Sequence, residues 1–401
     1  MITKLHIQNF KCLRDVSVEL EPFTVLIGKN DTGKSSLLEA VAALGGLVQP
    51  RPKQFAVSRF VWQGAEPRSI GWTVDVAATP RNRLPGAATY RLRISPSAKV
   101  RDGVYVDEES LAIIGMSVQA GYVRRDTLVL HESPVIIQRN LEALQTAVSV
   151  AWSEQGFVIV NDFARAITTS PIYRLEPERL AEPAAYDIEP TEPDQAPALS
   201  SDGHGLPLML DYILGTDRAA FEQIERDLAT LAPYVRAIRI KPHRFGNGAP
   251  GATRVGKSLS FELTSGGELS ASLASQGVML FLAYLALAHT ANAPAIMLVE
   301  EPENGVHPRQ LQRIAEHLKR LTDPARGASA VQLIVATHSP YFLDFVPPES
   351  VRVFGRKANG ETVVARLLDL PGVEKRLASG FSLGEMWFNV GEDKLLAEVL
   401  Q

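Results

Sequence analysis

The chain has 401 residues, of which 45% are hydrophobic and 21% are charged. This is ordinary globular composition for two or three structural units, so it excludes collagen, coiled-coil fibres and wholesale disorder. Lys and Arg number 41 and Asp and Glu number 45, which gives a net charge of −4. Any contact with nucleic acid must therefore come from a local basic patch.

Cysteine content and apolar runs restrict the class of protein further. The single cysteine, Cys12, excludes an internal disulfide framework and a cysteine-rich zinc site, and it fits a reducing compartment. The longest apolar run, residues 278–288, is shorter than the ~20 residues that span a bilayer. The first residues also lack the apolar core of a signal peptide. We therefore expect a soluble, cytoplasmic protein with no membrane contact.

The N-terminal region predicts strands followed by a helix. Residues 1–27 alternate apolar and polar side chains and end in the apolar run Phe23–Ile27, which is typical of a buried strand. A helix is predicted over about 35–43, and the Gly45-Gly46 pair and Pro50 are expected to end it.

The middle of the chain changes character several times. Residues 70–130 predict a β-rich lobe, because alternating segments are separated by Pro, Gly and Asn. Residues 138–152 predict a helix. From 176 to 205, carboxylates and prolines accumulate, which is typical of a surface loop or linker. An amphipathic helix is predicted at 218–231, and the Gly-, Arg- and Lys-rich stretch 239–257 predicts a flexible basic loop.

The C-terminal part alternates helices with apolar strands. Helices are predicted at 277–288 and 309–321, and strands at 296–299 and 331–336. Buried strands that alternate with helices imply a mostly parallel sheet covered on both faces, so the fold class is α/β.

Residues 28–36 form a complete phosphate loop of the pattern GxxxxGK(S/T), with the required apolar strand before it and a helix after it. Backbone N–H groups and the helix N-terminus attract phosphate. Lys34 is expected to reach the β- and γ-phosphates, and the Ser35 hydroxyl to coordinate Mg²⁺. The residues assigned to nucleotide binding here are Gly28, Lys29, Asn30, Asp31, Thr32, Gly33, Lys34, Ser35 and Ser36.

Two strand ends carry the other catalytic candidates. Glu300 and Glu301 follow an apolar strand, at the sheet edge where α/β proteins bind ligands. One carboxylate can hold Mg²⁺, and the other can orient or deprotonate the attacking water. A second apolar strand brings His338 to the same edge, where a neutral imidazole can contact the γ-phosphate or that water. His307, near the acids, is a further candidate.

Ser275 and Gly277 stand at the start of the apolar helix 277–288. Ser275 is a suitable N-cap, and Gly277 leaves the helix start open to an anion. The same residues fit a plain capped core helix. Their place about two dozen residues before the acid pair favours the anion site.

In this order, the motifs resemble the ATP-binding-cassette (ABC) type ATPase head of the structural-maintenance-of-chromosomes (SMC), RecF and OLD (overcoming lysogenization defect) superfamily. The chain is more narrowly similar to bacterial AAA-labelled ATPases of the OLD type. The resemblance is most specific at residues 2–13 and 300–308, and looser at Tyr173-Arg174-Leu175, Asp202-Gly203 and Leu231-Ala232-Pro233. It implies a P-loop ABC-type head with a mostly parallel core sheet, an additional antiparallel β lobe and a helical insertion.

The resemblance assigns roles to these motifs. Residues 28–36 become Walker A, Glu300 takes the Walker B position that holds Mg²⁺, Glu301 becomes the catalytic base and His338 the switch histidine. The family often has Asp where this chain has Glu300, which keeps the charge on a longer side chain. ATP and Mg²⁺ are thus the implied cofactors.

Ser275 and Gly277 become the signature motif, which acts on ATP held by the other subunit, so the resemblance implies an ATP-dependent, head-to-tail homodimer. The leucine that usually precedes the signature serine is absent. Gln63 is the candidate Q-loop glutamine, with Gln49 and Gln54 as alternatives.

These assignments divide the chain into four parts. They are the N-terminal part of the ATPase head with Walker A (1–50), a β-rich lobe (51–135), a helical insertion with the acidic loop (136–255), and the C-terminal part of the head with the signature, Walker B and the switch histidine (256–401).

We expect an ATPase whose ATP-driven dimerisation controls DNA or a partner effector, as in bacterial anti-phage defence or DNA repair. The alternative is a slowly hydrolysing, nucleotide-gated scaffold that holds a separately encoded nuclease or toxin. A transporter ATPase is a third reading, which the RecF- and OLD-like opening disfavours. The Toprim domain of OLD nucleases has no counterpart in this sequence, so intrinsic nuclease activity is not expected.

Two basic clusters are candidate DNA contacts: Arg81, Arg83, Arg91 and Arg93, and Arg236, Arg239, Lys241, His243, Arg244, Arg254 and Lys257.

Overall fold

A computed structural model describes most of the chain. The described residues are 1–49, 57–66, 68–96, 104–114, 119–122, 128–132, 135–139, 146, 148, 158–186, 197–246, 254–290, 293–325 and 330–396. The chain divides into two compact units. The first is formed by Met1–Ser170, Pro294–Leu298 and Thr322–Gln401, and the second by Pro171–Ala293 and Val299–Leu321.

The described strands and helices follow in chain order. The strands are β1 (Ile2–Phe10), β2 (Leu13–Glu19), β3 (Phe23–Ile27), β4 (Ile70–Val76), β5 (Ala88–Pro96), β6 (Val104–Ile113), β7 (Gln119–Tyr122), β8 (Leu128–Glu132), β9 (Val135–Arg139), β10 (Thr169–Tyr173), β11 (Ala184–Ala185), β12 (Val235–Phe245), β13 (Arg254–Leu263), β14 (Glu268–Ser270), β15 (Ile296–Glu300), β16 (Gln332–Thr337), β17 (Val351–Arg356) and β18 (Thr362–Arg366). The α-helices are α1 (Lys34–Leu47), α2 (Val57–Phe60), α3 (Val158–Ala166), α4 (Pro177–Ala181), α5 (Leu206–Thr216), α6 (Arg218–Leu231), α7 (Gln276–Ala288), α8 (Pro308–Leu321), α9 (Pro340–Leu343), α10 (Val373–Ala378), α11 (Leu383–Val390) and α12 (Glu392–Leu395).

A six-stranded antiparallel sheet of the first unit has the order β2-β1-β4-β5-β6-β7. Leu5 lies opposite Val18 on one neighbouring strand and opposite Val74 on the other, and all three are buried. They share a face because residues paired across strands point the same way. Strands predicted within 70–130 are present, and they continue the sheet that β1 and β2 begin, across the boundary predicted at residue 50.

A second six-stranded sheet contains the strand before the phosphate loop, in the order β10-β15-β16-β3-β17-β18. Strand β3 pairs in parallel with β16 and β17, so that Ile27 lies opposite both Thr337 and Val353. Every residue of β3, β15 and β16 is buried, as expected for parallel strands covered on both faces. The predicted α/β fold with a mostly parallel core sheet is confirmed.

Helix α1 is longer than the sequence predicts. It covers Lys34–Leu47, so the prediction that the Gly45-Gly46 pair ends it is wrong. A Cβ on Gly45 would lie 2.6 Å from Thr169 Oγ1 and 3.1 Å from the Ile167 carbonyl oxygen. A helical glycine costs about 1 kcal/mol relative to alanine, and here the close approach of a neighbouring segment requires one.

The second unit combines an antiparallel sheet with helices α4 to α8. Strand β13 pairs with β11, β12 and β14. The helices predicted at 218–231, 277–288 and 309–321 are present as α6, α7 and α8, with ends that agree within one residue.

The flexible loop predicted at 239–257 is wrong where the structure describes it. Strands β12 and β13 form a hairpin there, in which Ile238 lies opposite Phe261 and Ile240 opposite Leu259. The many basic side chains led to the prediction of a loop. Apolar and basic residues nevertheless alternate here, as in a strand with one buried face.

Other predictions fall partly outside the described residues. The surface loop predicted at 176–205 is wrong at its described ends, because α4 and β11 lie there and Leu180 is fully buried. Its residues 187–196 lie outside the described part, as does most of the helix predicted at 138–152, whose first two residues end β9.

Within the described part of the chain, every helix is too short or too polar to cross a membrane.

Candidate functional site

The phosphate loop connects β3 to α1 in the first unit. Gly33 is the N-cap of α1 with a φ of 107°, a left-handed conformation that favours glycine. The Lys34 side chain is buried in the loop, where its Nζ donates hydrogen bonds to the carbonyl oxygens of Gly28 (2.6 Å) and Lys29 (2.7 Å). The ammonium thus lies among the loop's own acceptors, beside a helix N-terminus that favours anions.

The turn between β17 and β18 holds the outer side of this loop. Thr362 Oγ1 donates a hydrogen bond to the Thr32 carbonyl oxygen at 2.9 Å. The Arg356 guanidinium binds both the carboxylate and the carbonyl oxygen of Asp31. Thr362 and Thr32 are 330 residues apart, so no local sequence pattern could identify these supporting residues.

His338 follows β16, directly beside the phosphate-loop strand. Thr337 is in parallel register with Ile27, so His338 and the phosphate loop leave the sheet at the same edge. The Ser339 N–H donates to Thr337 Oγ1 at 3.0 Å, and Ser339 Oγ caps α9 by accepting from the Phe342 N–H at 3.3 Å. The structure brings these two elements together, while the role of His338 as switch histidine stays a prediction.

The acid pair stands at the end of the buried strand β15, in the second unit. Glu300 is 7% exposed, and its Oε2 accepts a hydrogen bond from Arg174 Nε at 2.5 Å. Glu301 is exposed and has a φ of 50°. That left-handed conformation costs a residue with a Cβ about 1–2 kcal/mol, and such strain concentrates at functional sites. The backbone thus distinguishes Glu301 from an ordinary solvated acid, although its catalytic role stays a prediction.

Arg174 is a residue at these acids that the sequence motifs did not assign. Its N–H donates to the Ser201 carbonyl oxygen at 2.8 Å, which joins it to the turn around Asp202. The Ser200 hydroxyl and the His204 N–H bind the Asp202 carboxylate and hold its pKa well below its usual range. The loosely matching segments 173–175 and 202–203 therefore meet in the structure, although they are separated in sequence.

The residues assigned to Mg²⁺ fit that ion by their donor chemistry. Mg²⁺ prefers hard oxygen ligands, and nucleotide sites hold it with one or two carboxylates together with phosphate oxygens and water. Glu300 offers a carboxylate at a strand end, and Ser35 offers a hydroxyl in the first turn of α1. Their assignment as ligands stays a prediction.

Ser275 and Gly277 begin α7 in the second unit. Ser275 occupies the N-cap position, as predicted, yet its hydroxyl makes no capping hydrogen bond. Gly277 is packed against Gln310, whose Oε1 would lie 2.3 Å from a Cβ at that position. Leu273, in the preceding 3-10 turn, is 75% exposed. Ser275 and Gln276 are exposed, whereas Gly277 is buried, so the first residues of this helix are accessible, as an anion site requires, and the signature role stays a prediction.

The remaining candidates have less support. Gln63 lies exposed in a turn after α2, Gln49 follows α1, and Gln54 falls outside the described residues, so the Q-loop assignment stays a prediction. His307 Nδ1 accepts a hydrogen bond from the Arg309 N–H at 3.3 Å, at the start of α8. This capping contact accounts for His307 without a chemical role.

The basic cluster on β12 and β13 is partly offset by acids. Glu262 pairs with Arg236 at 3.2 Å and also with Arg239, and Glu268 pairs with Lys241. These ion pairs offset part of the positive charge that would attract nucleic-acid phosphates. The DNA contact predicted for this cluster loses electrostatic support.

The strand order and the phosphate loop define the fold of a P-loop ATPase head of the ABC type. Residues 169–344 match the family described as "AAA domain, putative AbiEii toxin, Type IV TA system", and residues 1–46 match the family described as "AAA ATPase domain". The chain is 23% identical over 377 residues to the "OLD nuclease" of Thermus scotoductus. The match covers 91% of this chain and 64% of that protein, so the chain spans less than two thirds of its relative.

Two solved SMC heads share the fold. A head bound to the C-winged helix domain of ScpA has a TM-score of 0.51 at 16% identity, covering 91% of this chain and 96% of that one. A head with an extended coiled coil, bound to the C-terminal domain of ScpA derived from Pyrococcus furiosus, has a TM-score of 0.50 at 11% identity, covering 94% and 98%. The matches to AAA domains and to an OLD nuclease, together with the fold shared with SMC heads, support the predicted resemblance to ABC-type ATPases of the SMC, RecF and OLD superfamily.

Proposed function

We propose that the protein binds Mg-ATP, hydrolyses it to ADP and phosphate, and forms a head-to-tail dimer when ATP is bound. The observation that carries this proposal is the complete phosphate loop with the Lys34 ammonium buried among its carbonyl oxygens. The AAA ATPase domains matched by residues 1–46 and 169–344 also support nucleotide binding.

The chain's own residues divide the chemistry. The Lys34 ammonium replaces its hydrogen bonds to the loop carbonyls with contacts to phosphate oxygens. Together with the N-terminus of α1 it offsets the negative charge of the phosphates. Glu301 orients the attacking water and accepts its proton, and His338 contacts the γ-phosphate or that water. Ser35 and Glu300 would hold Mg²⁺, which would supply charge neutralisation at the phosphates.

The proposed dimer uses the exposed start of α7. The Ser275 hydroxyl, which makes no cap hydrogen bond, and the Gly277 backbone bind the γ-phosphate of ATP held by the other copy. Binding and hydrolysis are then coupled to association, since each nucleotide contacts both copies.

We propose that the ATP-bound dimer controls a partner effector in bacterial anti-phage defence. The names of the matched proteins support this context over DNA repair, because one is a toxin–antitoxin AAA domain and the other an OLD nuclease. DNA binding by the dimer has less support, because part of the basic cluster on β12 and β13 is paired with acids.

The deciding measurement is the molar mass of the wild type and of Glu301→Gln by light scattering, with and without Mg-ATP. We expect the mass to double in Mg-ATP, persistently in Glu301→Gln and transiently in the wild type, because the variant retains ATP that the wild type hydrolyses. Glu316→Gln, an exposed acid on α8, is the matched control and should behave as the wild type. A mass unchanged by ATP, with negligible turnover and a co-purified effector, would replace the dimer mechanism with the scaffold alternative.

A further inference from the structure

Arg174 and Glu300 form an asymmetric ion pair within the second unit. Arg174 Nε lies 2.5 Å from Glu300 Oε2, and the two side chains are 65% and 8% exposed. The carboxylate is thus buried on the end of a strand, whereas the cation reaches it from the solvent side.

A guanidinium and a divalent cation are alternative partners for one carboxylate. Arg174 occupies Oε2, and its permanent positive charge repels a second cation at that carboxylate. Mg²⁺ also gives up its hydration shell reluctantly. A divalent cation can therefore use Glu300 only if the guanidinium moves aside or if nearby anionic groups outweigh its charge.

The surroundings let the side chain of Arg174 move while its backbone stays in place. Its N–H is tied to the Ser201 carbonyl oxygen at 2.8 Å, beside the turn stabilised by Asp202. The largely exposed side chain can rotate without opening the core, but Glu300 is fixed on a strand whose residues are all buried. Movement in this pair is therefore confined to the cation.

We propose that Arg174 gates metal binding at Glu300. In the nucleotide-free protein it occupies the carboxylate and excludes a free divalent cation, and it yields when Mg²⁺ arrives with the phosphates of ATP. This inference rests on the proposed binding of Mg-ATP. Arg174 is thus a positioning residue. It ensures that the metal binds at Glu300 together with the nucleotide and not before it.

The test is Mn²⁺ binding without nucleotide at pH 8, measured by the electron paramagnetic resonance of free Mn²⁺. We expect Arg174→Gln to lower the Mn²⁺ Kd about tenfold, which corresponds to ~1.4 kcal/mol, because the variant removes the competing guanidinium. Arg174→Lys keeps the charge and should stay near the wild type. Arg218→Gln removes an arginine from an exposed pair with Glu222 and should change nothing. The gain should also vanish when Glu300→Gln is combined with Arg174→Gln.

The outcomes separate this inference from the proposed function. An Arg174→Gln protein that binds Mn²⁺ no more tightly than the wild type overturns the gating role, and so does one that binds it more weakly. A merely structural arginine would give one of these two results, because damage to a site does not raise its affinity. Titration of the wild type with fluorescent Mg-ATP is made alongside. Absence of Mg-ATP binding there overturns the proposed function itself, whereas normal binding with an unchanged Mn²⁺ Kd overturns the gating alone.

Discussion

A buried histidine in α8 predicts that the stability of the second unit depends on pH. His317 is 8% exposed, and burial lowers its pKa from 6.5 to about 4. The charge of Asp227 and a hydrogen bond to the Tyr284 backbone oppose this shift, whereas the charges of Arg320 and His289 add to it. Burial outweighs them all, so the folded unit holds His317 neutral at pH values where the unfolded chain protonates it.

The sign and the size follow from proton linkage. Between pH 6.5 and about 4 the unfolded chain binds a proton that the folded unit excludes, so stability falls as the pH falls through this window. The two pKa values give a loss of about 2 kcal/mol at pH 5, and almost none above pH 7. His317→Leu keeps an apolar contact with Phe281, whose ring centroid lies 5.6 Å from the imidazole. The stability of this variant should therefore lack the decrease between pH 7 and pH 5 that His317 causes.

Hydrogen exchange followed by mass spectrometry can measure this effect locally. The opening free energy of residues 308–321, corrected for intrinsic exchange rates, should fall by about 2 kcal/mol from pH 7.5 to pH 5 in the wild type. His317→Leu should flatten this decrease, whereas His307→Leu, at an exposed histidine near the start of α8, should leave it in place. Equal pH dependence in the wild type and His317→Leu would refute the reasoning, because other groups would then set the slope.

Three further substitutions test the phosphate loop and the packing of α1. Lys34→Ala should weaken Mg-ATP binding about a hundredfold or more in a fluorescence titration, because it removes the buried ammonium that would bind the phosphate oxygens in place of the loop carbonyls; retained affinity would contradict the loop assignment. Thr362→Val removes one hydrogen bond to the loop and should weaken binding about fivefold, and an unchanged Kd would mean that the β17–β18 turn does not support the loop. Gly45→Val should cost about 1–3 kcal/mol by overpacking and lower the Tm in calorimetry. Gly46→Ala, where a Cβ meets nothing within 4 Å, should not lower it.

The features that could be predicted from the sequence are those whose physics is local. The phosphate loop needs glycine, lysine and serine at fixed spacing between a strand and a helix, so residues 28–36 specify their own conformation. The helices at 218–231 and 309–321 follow from apolar residues at helical spacing. The buried strands β3 and β16 follow from short apolar runs, and the parallel sheet follows from their alternation with helices.

Contacts between distant segments could not be predicted in this way. Arg356 and Thr362 support a loop more than 300 residues away, and Arg174 meets Glu300 across 126 residues. Each of these residues is an ordinary polar side chain in its own neighbourhood. The hairpin at 239–257 was missed for a related reason, since its basic side chains find acidic partners only once β13 and β14 lie beside β12.

The histidines His307 and His338 differ in their structural surroundings, which the sequence alone does not reveal. Both His307 and His338 follow strands that precede helices, and residue type alone does not separate them. His307 accepts from the Arg309 N–H and so meets the need of a helix start for an acceptor. His338 instead follows Thr337, which pairs with Ile27 at the end of the strand before the phosphate loop. The next helix is capped by Ser339. His338 is therefore not needed to cap that helix. It lies at the sheet edge where the phosphate loop also begins.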